Sequence, residues 1–225
     1  EVLKHVLKLP PANPKAERVF NDLFEFGGFP DPFLKKDKTF HALWQQTRIE
    51  KVVREDLRDL SRIPELSQIE MLIALLQTRA AQLLTISNLR EDLEVAHTTV
   101  LHWVNYLCEL YYCYLIRPFS KSLPRSLKKE PKLYLWDWSE IEEEGHRFEN
   151  LVAGHLLKSC HYWQDTGRGA FSLHYLRNKE QEEVDFLITK NHSPWLLLEC
   201  KNTDGNLHPP LLKFMDHLKL DFAIQ

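Results

Sequence analysis

The sequence predicts an α+β chain of more than one domain, helical at first and mixed helix and strand at the end. Three observations carry that reading. Apolar residues recur at helical spacing in stretches between Val19 and Leu110. Segments with strand character at 171–177, 183–188 and 195–201 follow one another in the last third. Beyond Trp138 the pattern changes, from helix-and-turn to an acidic helix start followed by these strands.

The bulk numbers bound what the chain can be. Its 225 residues allow one or two domains, and 44% hydrophobic with 27% charged residues is enough for a sizeable core. The net charge of -3 gives no overall attraction to nucleic acid, so such contact has to come from a local basic patch. The four cysteines, Cys108, Cys113, Cys160 and Cys200, form no CxxC pair and no zinc-like spacing, and read as buried free thiols of a reducing compartment. The longest apolar stretch, 107–116, is interrupted by Glu109 and is too short to span a membrane. With no signal peptide visible, the expectation is a cytoplasmic protein with no membrane partner. The chain opens at Glu1 in what reads as mid-helix and closes on an apolar run at 222–225. A piece of a longer protein and trimmed ends are both compatible with that.

Residues 1–26 read as a linker or the tail of a preceding domain, with Val19, Phe20, Leu23 and Phe24 on one helix face. Gly27-Gly28-Phe29-Pro30-Asp31-Pro32 is a strong break, because glycine permits positive φ and proline cannot continue a helix. A helix then runs from Phe40 to about Leu60. It is dense in charge at Arg48, Arg54, Asp56, Arg58, Asp59 and Arg62, either a solvated face or a contact surface for a partner.

Residues 27–138 form the second predicted domain, helical and winged-helix. Ile69, Leu72, Ile73 and Leu76 mark one helix. Thr85-Ile86-Ser87-Asn88-Leu89 reads as a cap and a short second one. A turn at 95–100, with Thr98 or its neighbour as cap, leads to a third helix burying Val100, Val104, Leu107 and Leu110. Strand-like runs at 112–116 and 132–136 supply two strands of a wing. The third helix has no Lys or Arg and follows Glu91, Asp92 and Glu94, which opposes binding to phosphates and base readout by basic side chains. The unit therefore reads as an interaction module rather than a sequence reader; Thr99, His102 and Asn105 are the base contacts under the alternative. The basic run is Arg117, Lys121, Arg125, Lys128, Lys129 and Lys132, either a phosphate-binding loop or a solvated one.

Residues 139–225 form the third predicted domain. Ser139 reads as the cap of a helix with Glu140, Glu142, Glu143 and Glu144 in or near its first turn, and Glu149 at the edge of its apolar face. The strands 183–188 and 195–201 form an antiparallel hairpin through a turn at 190–194. Alternation places Glu199 and Lys201 on one face, and pairing brings Asp185 beside Glu199. Two converging carboxylates are hard oxygen ligands for Mg²⁺ or Mn²⁺. Such an ion activates water and stabilises charge on a scissile phosphate, while a nearby ammonium orients that water or neutralises the phosphate. The plainer alternative is a surface Glu–Lys pair, contributing under about 1 kcal/mol.

An ordered set of motifs resembles the C-terminal part of a prokaryotic family of AAA-type ATPases that carry a domain of unknown function after the motor. The set is Phe26-Gly27-Gly28-Phe29-Pro30, Arg54-Glu55-Asp56-Leu57, Thr98-Thr99-Val100 with Tyr106-Leu107-Cys108-Glu109-Leu110, Pro131-Lys132-Leu133-Tyr134-Leu135-Trp136-Asp137, Phe148-Glu149-Asn150-Leu151-Val152, Glu183-Val184-Asp185-Phe186 and Glu199-Cys200-Lys201. The resemblance implies a winged-helix middle and a PD-(D/E)XK restriction-endonuclease-like domain with a mixed sheet. In it Glu149 is the helix acid, Asp185 and Glu199 are the metal ligands, and Lys201 is the companion cation. Val184 stands where that superfamily often has proline. The resemblance also implies an ATPase domain before residue 1. The chain has no Gly-x-x-x-x-Gly-Lys-Ser/Thr loop, so ATP enters only through that domain. Three functions follow as expectations: a Mg²⁺-dependent nuclease coupled to an ATPase, a noncatalytic module holding nucleic acid or a protein partner, or an intersubunit or autoregulatory scaffold in an ATPase assembly, with a homo-oligomer among the expected partners.

Overall fold

The computed structural model describes residues 13–52, 66–120, 129–201, 206–220 and 222–225. The fold is α+β, with eight α-helices among the described residues and a mixed sheet of four strands. It divides into two compact units, 13–115 with 133–147, and 116–132 with 148–225. The sequence predicts continuous domains, whereas residues 116–120 and 129–132 belong to the second unit. No described helix is long and apolar enough to cross a membrane.

The first unit opens with α1 (Pro14–Phe26), α2 (Pro30–Lys35) and α3 (Lys38–Lys51). Asn13 and Asp37 cap α1 and α3 by accepting the backbone N–H of Ala16 and Phe40, at 2.8 and 2.6 Å. α1 ends on Gly27, whose φ of 77° and ψ of -177° suit glycine alone. A Cβ there would collide with the Asp137 carboxylate, and one on Gly28 would meet the Trp138 ring at 2.6 Å. Trp138 Nε1 donates to Leu23 O at 2.7 Å. The glycine pair thus lets the break after α1 lie against a segment more than a hundred residues away in sequence.

Three further helices follow, α4 (Leu66–Thr78), α5 (Ile86–Leu93) and α6 (His97–Glu109), then the two-stranded sheet of β1 (Cys113–Ile116) and β2 (Lys132–Leu135). Ile69, Leu72, Leu76, Leu89, Val100, Val104 and Leu107 are each no more than 1% exposed, matching the helical spacing in the sequence. Trp103 joins them, while Leu110 is only partly covered. Helix α6 begins at His97 with Ala96 at the cap position, so Thr98 does not cap it.

A buried polar network holds this unit. Glu140 accepts Arg48 NH1 at 2.8 Å, Gln77 Nε2 at 3.0 Å and the Tyr112 hydroxyl at 2.6 Å. Burial and the nearby Asp137 charge push its carboxyl up, against Arg48 and these hydrogen bonds. Ser139, expected to cap the long helix, instead donates its hydroxyl to Asp137 Oδ1 at 2.5 Å within a short 3₁₀ turn, Trp138–Glu140. The helix α7 (Glu144–Asp165) starts five residues later, and Glu143 caps it by accepting the N–H groups of Gly145 and His146. The acidic run is long enough for the start to slide to the residue whose carboxylate reaches two free N–H groups.

The second unit is built on the sheet β3 (Phe171–Arg177), β4 (Glu183–Lys190), β5 (Ser193–Leu198) and β6 (Ala223–Ile224), in that order. The first three run antiparallel, and β6 adds parallel to β5 after helix α8 (Pro209–Leu218). Asn191 and His192, at φ 49° and 66°, form the two-residue turn between β4 and β5. Positive φ at both central residues is what a tight hairpin turn matching strand twist requires. Leu176, Val184, Leu187, Leu197 and Ala223 pack with Leu211 and Met215 of α8. Residues 117–120 lie along β3, with Phe119 N donating to Tyr175 O at 2.8 Å.

Gly27→Ala is expected to destabilise the protein by about 1–3 kcal/mol, since it forces a side chain into a glycine-only conformation. Chemical denaturation against the wild type measures it; an unchanged midpoint overturns the account of this turn.

Candidate functional site

The register Phe186↔Leu198 puts Asp185 and Glu199 opposite each other where β4 and β5 meet at one end of the hairpin. β5 itself stops at Leu198, so Glu199-Cys200-Lys201 lies past the strand rather than in it. The side-by-side arrangement survives because backbone groups tie the two acids. Asp185 N donates to Glu199 Oε2 at 3.3 Å, and Cys200 N donates to Asp185 Oδ2 at 2.9 Å. Lys201 Nζ lies 2.7 Å from Glu199 Oε1. Lys201 is half-exposed, whereas the Glu199 side chain is 3% exposed.

The centre of the cluster is a residue assigned by sequence to the basic loop. Lys132 Nζ lies 2.7 Å from Glu183 Oε1, 3.0 Å from Glu149 Oε1 and 3.6 Å from Asp185 Oδ1, with its side chain only 5% exposed. Glu149 reaches it from α7, Glu183 and Asp185 from β4, and Lys132 itself begins β2. Arg177 NH1 supports Glu183 from the paired strand at 3.1 Å. Lys132 therefore faces carboxylates and not phosphates. Of the other basic residues, Arg117 is half-buried and Lys129 exposed. Lys121, Arg125 and Lys128 lie outside the described residues.

Electrostatics follow from this packing. Burial alone would lower the Lys132 ammonium, but the charges of Glu149, Asp185 and Glu183 overcome it and hold the group well above the ordinary lysine range. Burial, with the Asp185 charge second, pushes the Glu199 carboxyl up; Lys201 and His208 pull it back. His208 Nδ1 is 2.7 Å from Glu199 Oε1, an ion-pair distance without hydrogen-bond alignment. Burial and the charges of Asp185, Glu149 and Glu199 also push the Cys200 thiol far up, so it is an inert thiol.

All four site residues read from sequence thus fall in one neighbourhood, with Asp185 linking the Glu199–Lys201 pair to the Lys132 cluster. Sequence reasoning missed Lys132, Glu183, Arg177 and His208. Glu183 was detectable, being two residues before Asp185 on the same strand face. Nothing in local sequence marks Lys132 as buried.

Removing the ammonium with Lys132→Met is expected to cost roughly 3–5 kcal/mol at neutral pH, because it strands three partly buried carboxylates. The raised folded-state pKa makes the native contribution complete below the ordinary lysine value of about 10.4, and it is lost only as pH rises through the higher folded value. Denaturant titration of both proteins tests this, and a deficit under about 1 kcal/mol would show an unimportant surface pair. The raised Glu199 pKa has the complementary sign: it favours the fold below the ordinary glutamate value of about 4.3, a contribution lost as pH rises through the folded pKa. Asp185→Asn is expected to lower that folded value, readable by carbon NMR of the Glu199 carboxyl. An unchanged value would mean that burial alone governs it.

The family comparisons divide the chain near residues 139–144, which keeps 116–132 with the first region. The model of one family, described as a domain of unknown function (DUF8612), matches residues 17–139. The model of a second, a domain of unknown function (DUF4143), matches residues 144–223, a span that includes Glu149, Asp185, Glu199 and Lys201. No curated protein and no solved structure matches the chain. Since the first match covers more than half of its residues, the chain belongs to the DUF8612 family and carries a DUF4143 region after it.

Proposed function

We propose that this chain is the nucleic-acid-associated part of an AAA-type ATPase, with a PD-(D/E)XK-like centre built on Asp185, Glu199 and Lys201. The single observation that supports it most is the pairing of the Asp185 and Glu199 carboxylates across the β4–β5 register, with Lys201 2.7 Å from Glu199. A Mg²⁺ or Mn²⁺ ion there would supply Lewis acidity and an activated water for phosphodiester hydrolysis.

The donor set fits such an ion in type. Both side chains offer hard oxygens, and magnesium commonly rests on one or two carboxylates with water and substrate phosphates completing its shell. Among the described residues no group of three or more His, Cys, Asp or Glu side chains is arranged to hold a metal ion. Lys201, half-exposed, would meet the phosphate. Glu149 and Glu183, engaged by Lys132, hold the wall of the site. ATP hydrolysis belongs to the domain expected before residue 1, since this chain lacks a phosphate loop.

One observation favours a second reading. Lys132 already pairs with Glu149, Glu183 and Asp185, which suits a noncatalytic module that binds a nucleic acid or protein partner for the motor. The exposed face of α6, with His97, Thr98, His102, Asn105 and Glu109, carries no Lys or Arg, so such a module would depend on the basic residues of 117–129, without Lys132, for phosphate contact.

The test is a cleavage assay with single- and double-stranded DNA in Mn²⁺ and Mg²⁺, paired with metal calorimetry. Wild type is expected to bind metal and cut, and Asp185→Ala to do neither. Absence of both metal binding and cleavage, with salt-sensitive DNA binding lost on neutralising Lys128 and Lys129, would transfer the conclusion to the noncatalytic reading.

A further inference from the structure

Two thiols in the first unit stand apart from every function considered so far. Cys108, in the last turn of α6, and Cys113, the first residue of β1, bring their sulfurs to 3.6 Å. Cys113 is fully buried, whereas Cys108 is partly open to solvent. Between them the chain turns through Tyr111 at φ 55°, a left-handed conformation that folds the strand start back toward the helix end. The turn is held on both sides. Tyr111 O accepts Arg48 NH2 at 3.1 Å, and the Tyr112 hydroxyl donates to Glu140.

We propose that Cys108 and Cys113 form an oxidisable dithiol that closes to an intramolecular disulfide, with Cys108 as the attacking sulfur and a peroxide as the oxidant. The sulfurs must close from 3.6 Å to the roughly 2.0 Å of a bond. Accessibility selects Cys108 as the group that meets oxidant. The hydrogen bond from Cys113 holds the Cys108 thiol below its ordinary value, and that bond together with burial pushes Cys113 well above. The thiolate is the nucleophile, so the two shifts name the same order of events.

The step balances. The Cys108 thiolate attacks one oxygen of hydrogen peroxide, the O–O bond breaks, and with one proton a sulfenic acid and water result. The Cys113 sulfur then attacks the Cys108 sulfur and expels hydroxide, which takes the Cys113 proton and leaves as a second water. Two thiols lose two electrons and two protons, and one peroxide is reduced to two waters. The bond would clamp the turn that carries the Tyr111 carbonyl and the Tyr112 hydroxyl, and so report directly on the Arg48–Glu140 network.

The experiment treats the chain with stoichiometric hydrogen peroxide and maps peptides by mass spectrometry without reduction. The expected result is a Cys108–Cys113 cross-link, two hydrogen masses lighter, reversed by dithiothreitol. Before oxidation, Cys108 is expected to alkylate roughly tenfold faster than Cys160, whose thiol burial pushes up to about 11. Cys113→Ser should stop at a Cys108 sulfenic acid trapped by a 1,3-diketone. Intermolecular cross-links, over-oxidation of Cys108 without a bond to Cys113, or equal alkylation rates would each overturn the proposal. The wild-type map needs no variant to fold, so it decides the matter alone if Cys113→Ser is unstable.

Discussion

The second unit depends on one buried ammonium. Glu149, Glu183 and Asp185 come from a helix and a strand, and their mutual repulsion in a partly dry setting would push those elements apart. Lys132 offsets that repulsion from a single point, with its three contacts spanning 2.7 to 3.6 Å. Desolvating a lysine is costly by itself, and only the convergence of carboxylates reverses the balance. Asp185 is the joint between this cluster and the candidate site. One of its oxygens faces Lys132, and the other accepts the Cys200 amide beside Glu199. Any change that loosens Lys132 is therefore felt at Glu199.

The first unit uses the same device with the charges reversed. There the hub is a carboxylate, Glu140, whose side chain is 2% exposed and is satisfied by a guanidinium, an amide and a phenol. Arg48 also stacks over Phe29 and Tyr112, at 4.7 and 5.3 Å, which suits a planar guanidinium better than an ammonium. Both hubs gather groups far apart in sequence. Such networks are stable when every member is satisfied and costly when one is removed.

How far the sequence could be read depended on whether a signal was local. Periodicity found the buried faces of α4 and α6 because helical spacing repeats within a few residues. Alternation and a short turn found the β4–β5 hairpin and so the Asp185–Glu199 pair. Cap positions were less legible: Ser139, Thr98 and the run Glu140 to Glu144 all offered suitable side chains. The choice went to Glu143 and Ala96 through backbone geometry that neighbouring packing imposes. The glycine pair was recognised as a break, but its reason, the close approach of Asp137 and Trp138, lies a hundred residues downstream.

By itself the sequence determined the α+β class and the hairpin, and it put Asp185, Glu199 and Lys201 near the open end, because these follow from spacing along neighbouring residues. Only the tertiary structure decided that Lys132 leaves the basic run and enters the acid cluster, that Glu183 and Arg177 support it, and that Cys108 meets Cys113 across a turn. Those outcomes turn on burial and on distances between separate elements. A lysine looks the same in sequence whether it faces water or three carboxylates; the dielectric around it, and the charges within about 4 Å, make it one or the other.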